Sequence, residues 1–568
     1  MNEAAKRAEA ERRYRELLPR LGDYVDRHAR ANPGKLALIE HDTCATVTYG
    51  RLAQASDAFA AKLLSAGLAK GDVVATSLPF TKEHVFLQLA CFKLGLPLAP
   101  LDLRLKAGEV REAFEAISPK AWFFLGNTPC VDFRPMVAEV MRSARTVKHF
   151  VQLQKEPGGV LPGAVHVLDF VKDLKRHYLV ARLFGRLKRA YREVGKRDPA
   201  LIIFTTGSTG RPKAAMLGHE NVLVQNIGLA VGFGFSADDR MLVNLPPSHV
   251  GGQTEQLLTT IYGGGTAVLL HVFDAEKTLQ AIAQHQVTLC GQIPALFNME
   301  WRLPNYASYD LSSLRFAIYG GQSVDRAFLV KLGAMAKQMG TGLGLTETAG
   351  FCTYTPPTWG PDDVADSIGF DSPLAPISIR EPMLADGKAG AEKPKGEIGE
   401  ICFTGPQVFL GYLNDEAATR RAVSVDGVCY TGDLGRYDER GLHFSGRAKF
   451  VVKPKGYQVF PSEVEDFVTS SFPEAVSATG VVGVPHEVFG EGLMAFLELK
   501  AGAALTREAL DARLKDIAAY KRPGHVVFLQ PGEMPYNRVA KIDYLELKSR
   551  ALAEVEKLRQ AGGWDRAT

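Results

Sequence analysis

Two long stretches of this chain alternate short apolar runs with segments of helical period, and that alternation limits the fold before any motif is read. Between Leu21 and about Leu125, Leu36-Ala37-Leu38-Ile39 and Val73-Val74-Ala75-Thr76-Ser77-Leu78 read as short buried strands. Residues 49–66 between them carry Leu52, Ala55, Phe59, Leu63 and Leu64 at helical spacing, residues 85–92 predict a buried helix, and residues 97–101 predict a strand. From Leu217 to about Tyr319 the pattern resumes, with strands at 266–270, 288–290 and 316–319 and a helix at 276–284. Short apolar strands separated by helices are the mark of a largely parallel sheet covered on both faces, so the fold class is α/β. From Glu397 the texture changes. Short strands such as Gly399-Glu400-Ile401-Cys402-Phe403 are followed by Gly432, Gly435, Gly441, Gly446 and Gly456, the spacing of hairpins in a β-rich subdomain. The last hundred residues predict a compact α+β unit, with helices at 461–472 and 506–519, strands at 477–484 and 493–499, and a frayed end at 562–568. A chain of 568 residues exceeds one core. The expected plan is a large N-terminal domain, residues 1–447, followed by a small mobile C-terminal domain, residues 448–568.

Charge and cysteine usage remove several function classes. A formal net charge of +4 over this length makes no case for nucleic acid. Seven cysteines without paired spacing suggest neither a disulfide framework nor a zinc site, and reduced thiols imply a cytoplasmic protein. Residues 1–20 lack the apolar core of a signal peptide, and no apolar run reaches the roughly 20 residues needed to span a bilayer. Oligomeric state stays open between monomer and homodimer.

Residues 171–197 break the balance. They hold ten Lys or Arg against Asp173 and Glu193, interleaved with Leu174, Tyr178, Leu179, Leu183, Phe184, Leu187 and Tyr191, and interrupted at Gly185. Such a basic amphipathic helix either meets an anionic membrane surface, the inner face for a cytoplasmic protein, or packs its apolar side on the protein.

The most chemical stretch is Phe204-Thr205-Thr206-Gly207-Ser208-Thr209-Gly210-Arg211-Pro212-Lys213, directly after the apolar strand Leu201-Ile202-Ile203-Phe204. Hydroxyl residues and glycines in a turn present N–H and O–H donors without bulk, as a phosphate cradle requires. The spacing is not that of a Walker A loop, because Pro212 precedes Lys213 and Ala214 stands where a magnesium-binding hydroxyl belongs.

Five more segments follow in fixed order: Asn244-Leu245-Pro246-Pro247-Ser248-His249-Val250-Gly251-Gly252, Gly342-Leu343-Gly344-Leu345-Thr346-Glu347-Thr348, Tyr430-Thr431-Gly432-Asp433-Leu434-Gly435 with Gly446-Arg447-Ala448-Lys449, Lys453-Pro454-Lys455-Gly456-Tyr457-Gln458-Val459-Phe460-Pro461-Ser462-Glu463, and Asn537-Arg538-Val539-Ala540-Lys541. Together with the phosphate loop they resemble the adenylate-forming superfamily of acyl-CoA synthetases, peptide-synthetase adenylation domains and beetle luciferases, over about residues 20–550.

The resemblance implies ATP, Mg2+ and coenzyme A, and a role for each matching residue. Thr205, Thr206, Gly207, Ser208, Thr209, Gly210 and Lys213 would grip the β- and γ-phosphates. Gly320, Gly321 and Gln322 would run along the adenine beside Leu343. Asp433 would accept both ribose hydroxyls, a vicinal diol suiting one carboxylate, with Arg447 at the ribose or phosphate. Thr346 would reach the α-phosphate and Glu347 would ligate magnesium, a cation that prefers oxygen donors. Lys541 would supply the charge that lets a carboxylate approach the α-phosphate. Lys449 matches the hinge, and Lys453, Gly456 and Tyr457 the loop facing the thiol step. His249 matches a gate beside an acyl pocket formed by Val250, Gly251, Gly252, Gln292, Ile293, Tyr319 and Leu345.

Four positions depart from the pattern. Leu343 replaces an adenine-stacking tyrosine, Ala214 and Ala540 replace glycines, and Phe450 stands at a common Asp position. The charged residues within the quoted motifs are kept. The reading is an AMP-forming carboxylic acid–CoA ligase acting on an apolar acid, with a fatty acid favoured over a cyclic or aromatic one. The alternatives are an adenylation enzyme that loads a carrier-protein thiol and a non-catalytic nucleotide-binding homologue.

Overall fold

The computed structural model describes residues 3–156, 158–205, 212–447, 450–452, 454, 459–487, 490–537 and 541–565. Two sheets organise the large domain. One runs Gly411–Tyr412, Lys213–Gly218, Pro199–Thr205, Leu98–Pro100, Val74–Ser77, Ala121–Leu125, His149–Leu153, Ala164–His166 in spatial order. The other runs Gln338–Gly340, Phe316–Tyr319, Leu289–Gln292, Arg240–Val243, Thr266–Leu269, Leu36–Glu40, Thr46–Thr48.

Alternate residues of a strand face opposite layers. Leu201 and Ile203 join a core shared by both sheets whereas Ile202 joins the outer core, and Leu38 and Ile39 divide in the same way. Between the sheets lie the helices Tyr49–Ser65, Lys82–Leu94 and His219–Gly232, the last buried along its whole length. Outside lie Ala275–His285, Pro294–Trp301 and Arg326–Met335 on one sheet, and Ala107–Ile117 and Arg134–Met141 on the other. Double coverage explains why these strands read as unbroken apolar runs.

Pairing is parallel through the middle of both sheets and antiparallel at three places near their edges. Thr46–Thr48 folds back on Leu36–Glu40, Lys213–Gly218 on Pro199–Thr205, and Gly411–Tyr412 joins Lys213–Gly218. A four-stranded antiparallel sheet follows, Ile377–Arg380, Gly399–Phe403, Cys429–Asp438 and Gly441–Arg447, where the glycine punctuation predicts hairpins.

The small domain has a three-stranded sheet, Val476–His486, Gly490–Leu499 and His525–Leu529. Its two apolar cores draw only on residues 452–564. The helix expected at 506–519 stops at Leu514, with a separate 3-10 turn at Ala519–Lys521. The frayed end is corrected: Trp564 is buried, its Nε1 donates to the Pro485 carbonyl at 2.9 Å, and Asp565 pairs with Arg559 at 2.7 Å. Residues 566–568 lie outside the described residues.

The basic segment forms two helices, Leu174–Leu183 and Arg186–Arg192, broken at Gly185, whose φ is +65°. One side packs: Ala181 and Leu187 are buried, and the Tyr191 hydroxyl donates to Asp57 at 2.8 Å. The other side keeps Leu179, Leu183 and Phe184 at 62%, 80% and 65% exposure.

Candidate active site

Carboxyl ends of parallel strands converge on one crevice, as expected where strand order leaves a gap for a ligand. Phe316–Tyr319 delivers Gly320, Gly321 and Gln322; Leu289–Gln292 delivers Gln292 and Ile293; Arg240–Val243 leads to Asn244 and His249. From the other sheet, Thr205 and Lys213 pair across the base of a hairpin. Of the phosphate loop, Thr206, Gly207, Ser208, Thr209, Gly210 and Arg211 lie outside the described residues, as do Lys449, Lys453, Gly456 and Tyr457.

The hairpin base meets the Thr346–Glu347 segment through Tyr412. Lys213 Nζ sits 5.1 Å from the Tyr412 ring centroid, and the Tyr412 hydroxyl donates to Glu347 Oε1. The Glu347 carbonyl accepts the Phe409 N–H at 2.8 Å. Thr346–Thr348 is a 3-10 turn closed by Ala349 at φ +55°, an αL alanine, and such strain persists only where surroundings enforce it. Thr348 enforces it by accepting the Leu345 N–H at 3.1 Å and donating to the Gly350 carbonyl at 2.9 Å. Leu343 is tied by backbone to Cys352 and Thr353, with its side chain against the apolar cluster of the antiparallel sheet.

Asp433 and Arg447 face each other on the hairpin Cys429–Asp438 and Gly441–Arg447, with Arg447 Nε 3.1 Å from Asp433 Oδ1. Asp433 is buried and its N–H donates to Thr431 Oγ1 at 3.1 Å. Lys541 comes from the small domain to the same place. A Cβ at Gly321 (φ +90°) would lie 3.8 Å from Lys541 Nζ, so the amine rests against that backbone. The Lys541 backbone is held by Asn537, whose N–H donates to the Lys541 carbonyl at 2.7 Å. Burial, then the Arg447 cation, hold the Lys541 pKa below the usual lysine value, while Asp433 pulls the other way. Three charged groups from two domains thus meet in one place, Asp433 buried, Lys541 half-buried and Arg447 exposed.

His249 precedes the π-helix Gly251–Leu258. Burial lowers its pKa and keeps the ring neutral, opposed by Asp102, with Arg104 and Lys541 adding to the lowering. Its Nε2 is 3.9 Å from Asp102 Oδ2, and Asp102 pairs with Arg104 at 2.6 Å. Asp102 and Arg104 escaped sequence reasoning, although their place just past the strand Leu98–Pro100 was a usable signal. Tyr412 gave no local signal, since only strand pairing brings it to Glu347.

The acyl-pocket set divides. Val250, Gly251, Ile293 and Leu345 keep exposed surface beside the crevice. Gln292 is buried, its Oε1 accepting from Asn244 Nδ2 at 2.6 Å. The Tyr319 ring instead packs edge-on to Phe328, 5.6 Å between centroids, in the core under the sheet, so only its backbone borders the crevice. At Gly252 a Cβ would fall 2.5 Å from the Pro246 carbonyl oxygen, so this glycine answers a close backbone approach.

Glu347 can accommodate a cation, since Tyr412 holds one carboxylate oxygen and the other has no hydrogen-bond partner among the described residues. Among the described residues no group of three or more His, Cys, Asp or Glu could hold a metal ion.

The sequence matches the family model described as AMP-binding enzyme over residues 25–413, and that of the AMP-binding enzyme C-terminal domain over residues 463–541. Similar proteins include an indoleacetate–CoA ligase of Aromatoleum aromaticum, 31% identical over 535 residues that span 92% of this chain and 96% of the relative. A feruloyl-CoA synthase of Amycolatopsis sp is 31% identical over 512 residues, 89% of this chain and 94% of the relative. Among solved structures, ATP-bound MatB from Rhodopseudomonas palustris superposes with a TM-score of 0.75 at 25% identity, covering 93% of this chain and 98% of that one.

Proposed function

The chain belongs to the AMP-binding enzyme family and is an AMP-forming acid–CoA ligase, and from that premise we propose how its residues divide the reaction. In the first half-reaction an oxygen of the acid's carboxylate attacks the α-phosphate of ATP; the bond to the β-phosphate breaks and pyrophosphate leaves. Lys541 lies between the two anions, lowering their repulsion and the charge on the pentacoordinate phosphorus. Thr346 donates to the α-phosphate, Glu347 would hold the nucleotide's Mg2+, and Thr205 and Lys213 flank the leaving group. Magnesium, when bound, neutralises charge on the phosphates. Asp433 receives the ribose hydroxyls once Arg447 turns to the phosphate, and Gly320 to Gln322 with Leu343 line the base.

In the second half-reaction the CoA thiolate attacks the acyl carbonyl and AMP leaves. The small domain, residues 448–568, turns about Lys449 to bring Lys453, Gly456 and Tyr457 to the thiol path, and His249 gates the acyl pocket. The observation that carries this reading is the placement of Lys541 beside Asp433, Arg447, Gly321 and His249. The acid has a mainly apolar body, which Val250, Gly251, Ile293 and Leu345 would border. A pyrophosphate-release screen over acids of graded length and shape, with and without CoA, tests it. CoA-dependent turnover with at least one acid is expected, and silence across the panel sinks the assignment.

Among the described residues no helix is long and apolar enough to cross a membrane. The two basic helices support a peripheral contact instead. Leu179, Leu183 and Phe184 stand exposed amid Lys175, Arg176, Arg182 and Arg186, an apolar wedge in a cationic rim suited to the anionic inner face of a cytoplasmic membrane. Co-sedimentation with anionic liposomes should fall in a Leu183→Glu, Phe184→Glu variant, and equal binding by that variant rejects the contact.

A further inference from the structure

One carboxyl beside the crevice has no part in either half-reaction. Glu255 lies on the π-helix Gly251–Leu258, four positions after Gly251, and the wide π turn puts the two on one side. A Cβ on Gly251 would lie 3.8 Å from Glu255 Oε2, so this oxygen faces the gap the glycine leaves. The other oxygen is fixed: Oε1 accepts the Phe351 N–H at 3.0 Å. That approach depends on Gly350, at φ +121°, where a Cβ would come within 2.7 Å of Oε1. The strand Gly350–Phe351 follows directly on the Thr346–Thr348 turn, and Thr254 Oγ1 donates to the Ala349 carbonyl at 2.6 Å, tying this helix to that turn.

Glu255 is half-buried and keeps accessible surface on the side where Gly251 carries no side chain. Among the described residues Oε2 has no partner and no cation pairs with the carboxyl. Burial therefore pushes its pKa up to about 7, against the Phe351 hydrogen bond. The Gln225 side chain touches the same Gly350 position, and among the described residues its buried Nε2 is also unpaired. A recess for a plain hydrocarbon tail has no use for such a carboxyl, because an unmatched buried polar group is costly.

We propose that Glu255 is a specificity-determining residue: its Oε2 accepts a hydrogen bond from a hydroxyl or ring N–H at the far end of an otherwise apolar acid. This rests on the ligase reading above and narrows its substrate class from fatty acids to acids with a polar distal group.

The test compares acids matched in size and shape that differ in that group, 3-phenylpropanoate against 3-(4-hydroxyphenyl)propanoate and a benzothienyl against an indolyl acetic acid. The readout is the ratio of kcat/KM within each pair, which a loss of fold stability does not move. At pH 8, where a carboxyl with a pKa of about 7 is mainly ionised, the wild type should favour the donor-bearing member by about tenfold, the weight of a hydrogen bond to a charged group. Glu255→Leu should abolish or invert the preference. Glu255→Gln, which can still accept from Phe351, should keep part of it. If the wild type turns over both members alike and Glu255→Leu leaves the ratio unchanged, the inference fails and the ligase reading stands. No turnover of any acid overturns both.

Discussion

Two lysines, one fully buried under the helices of the large domain and one half-buried in the crevice, show how the same side chain serves opposite ends. Lys93 is fully buried, and its amine meets Asp26 and Asp57, each at 2.7 Å, near the Tyr191 ring. Its charge is more than matched, so nothing there can attract a ligand. Lys541 has no ion pair with a described residue within 4 Å, sits beside a second cation, Arg447, and feels Asp433 only as one opposing charge. An oversupplied amine ties elements together, whereas an undersupplied one waits for an anion. The difference lies in the partners each residue is given.

Breaking the first arrangement should cost the fold. Lys93→Met leaves two carboxylates facing one another without a cation, and about 3–5 kcal/mol of stability should go, as when one partner of a buried pair is removed. Chemical denaturation measures it, and activity per folded molecule should stay near normal. Breaking the second should cost the chemistry. Lys541→Ala should lower pyrophosphate release about 10²–10³-fold, the scale for losing one preorganised charge or donor, with little loss of melting temperature. If Lys541→Ala unfolds the protein or Lys93→Met selectively abolishes turnover, the contrast collapses.

A finer probe is Arg447→Ala. Arg447 favours the neutral amine of Lys541, so removing it raises that pKa. The alkaline limb of pyrophosphate release at saturating ATP should then move to higher pH. A limb that stays or moves down would show that Arg447 does not act on Lys541.

Element type was legible because both sheets are covered on both faces, which writes unbroken apolar runs such as Leu201-Ile202-Ile203-Phe204 into the chain. Edges were not legible. The two residues Gly411–Tyr412 carry too little pattern to announce a strand, and their pairing with Ala215 and Met216 depends on chain two hundred positions away. The same limit applies within the site. Asp433, Glu347 and Lys541 sit in dense local motifs, whereas Tyr412, Asp102 and Glu255 gain meaning only from what folding sets against them. Tyr319 shows the reverse: its neighbours in sequence border the crevice, but strand alternation turns its ring into the core.

The interleaving of the sheets has a consequence in time. Leu36–Glu40 is an interior strand, parallel to Thr266–Leu269 on one side and antiparallel to Thr46–Thr48 on the other. During synthesis at about 5–20 residues per second its parallel partner follows about 230 residues later, so the strand waits between about ten and fifty seconds with only a short hairpin beside it. This strand is thus made long before its parallel partner can enclose it, and protecting that interval falls to the helices formed meanwhile or to chaperones.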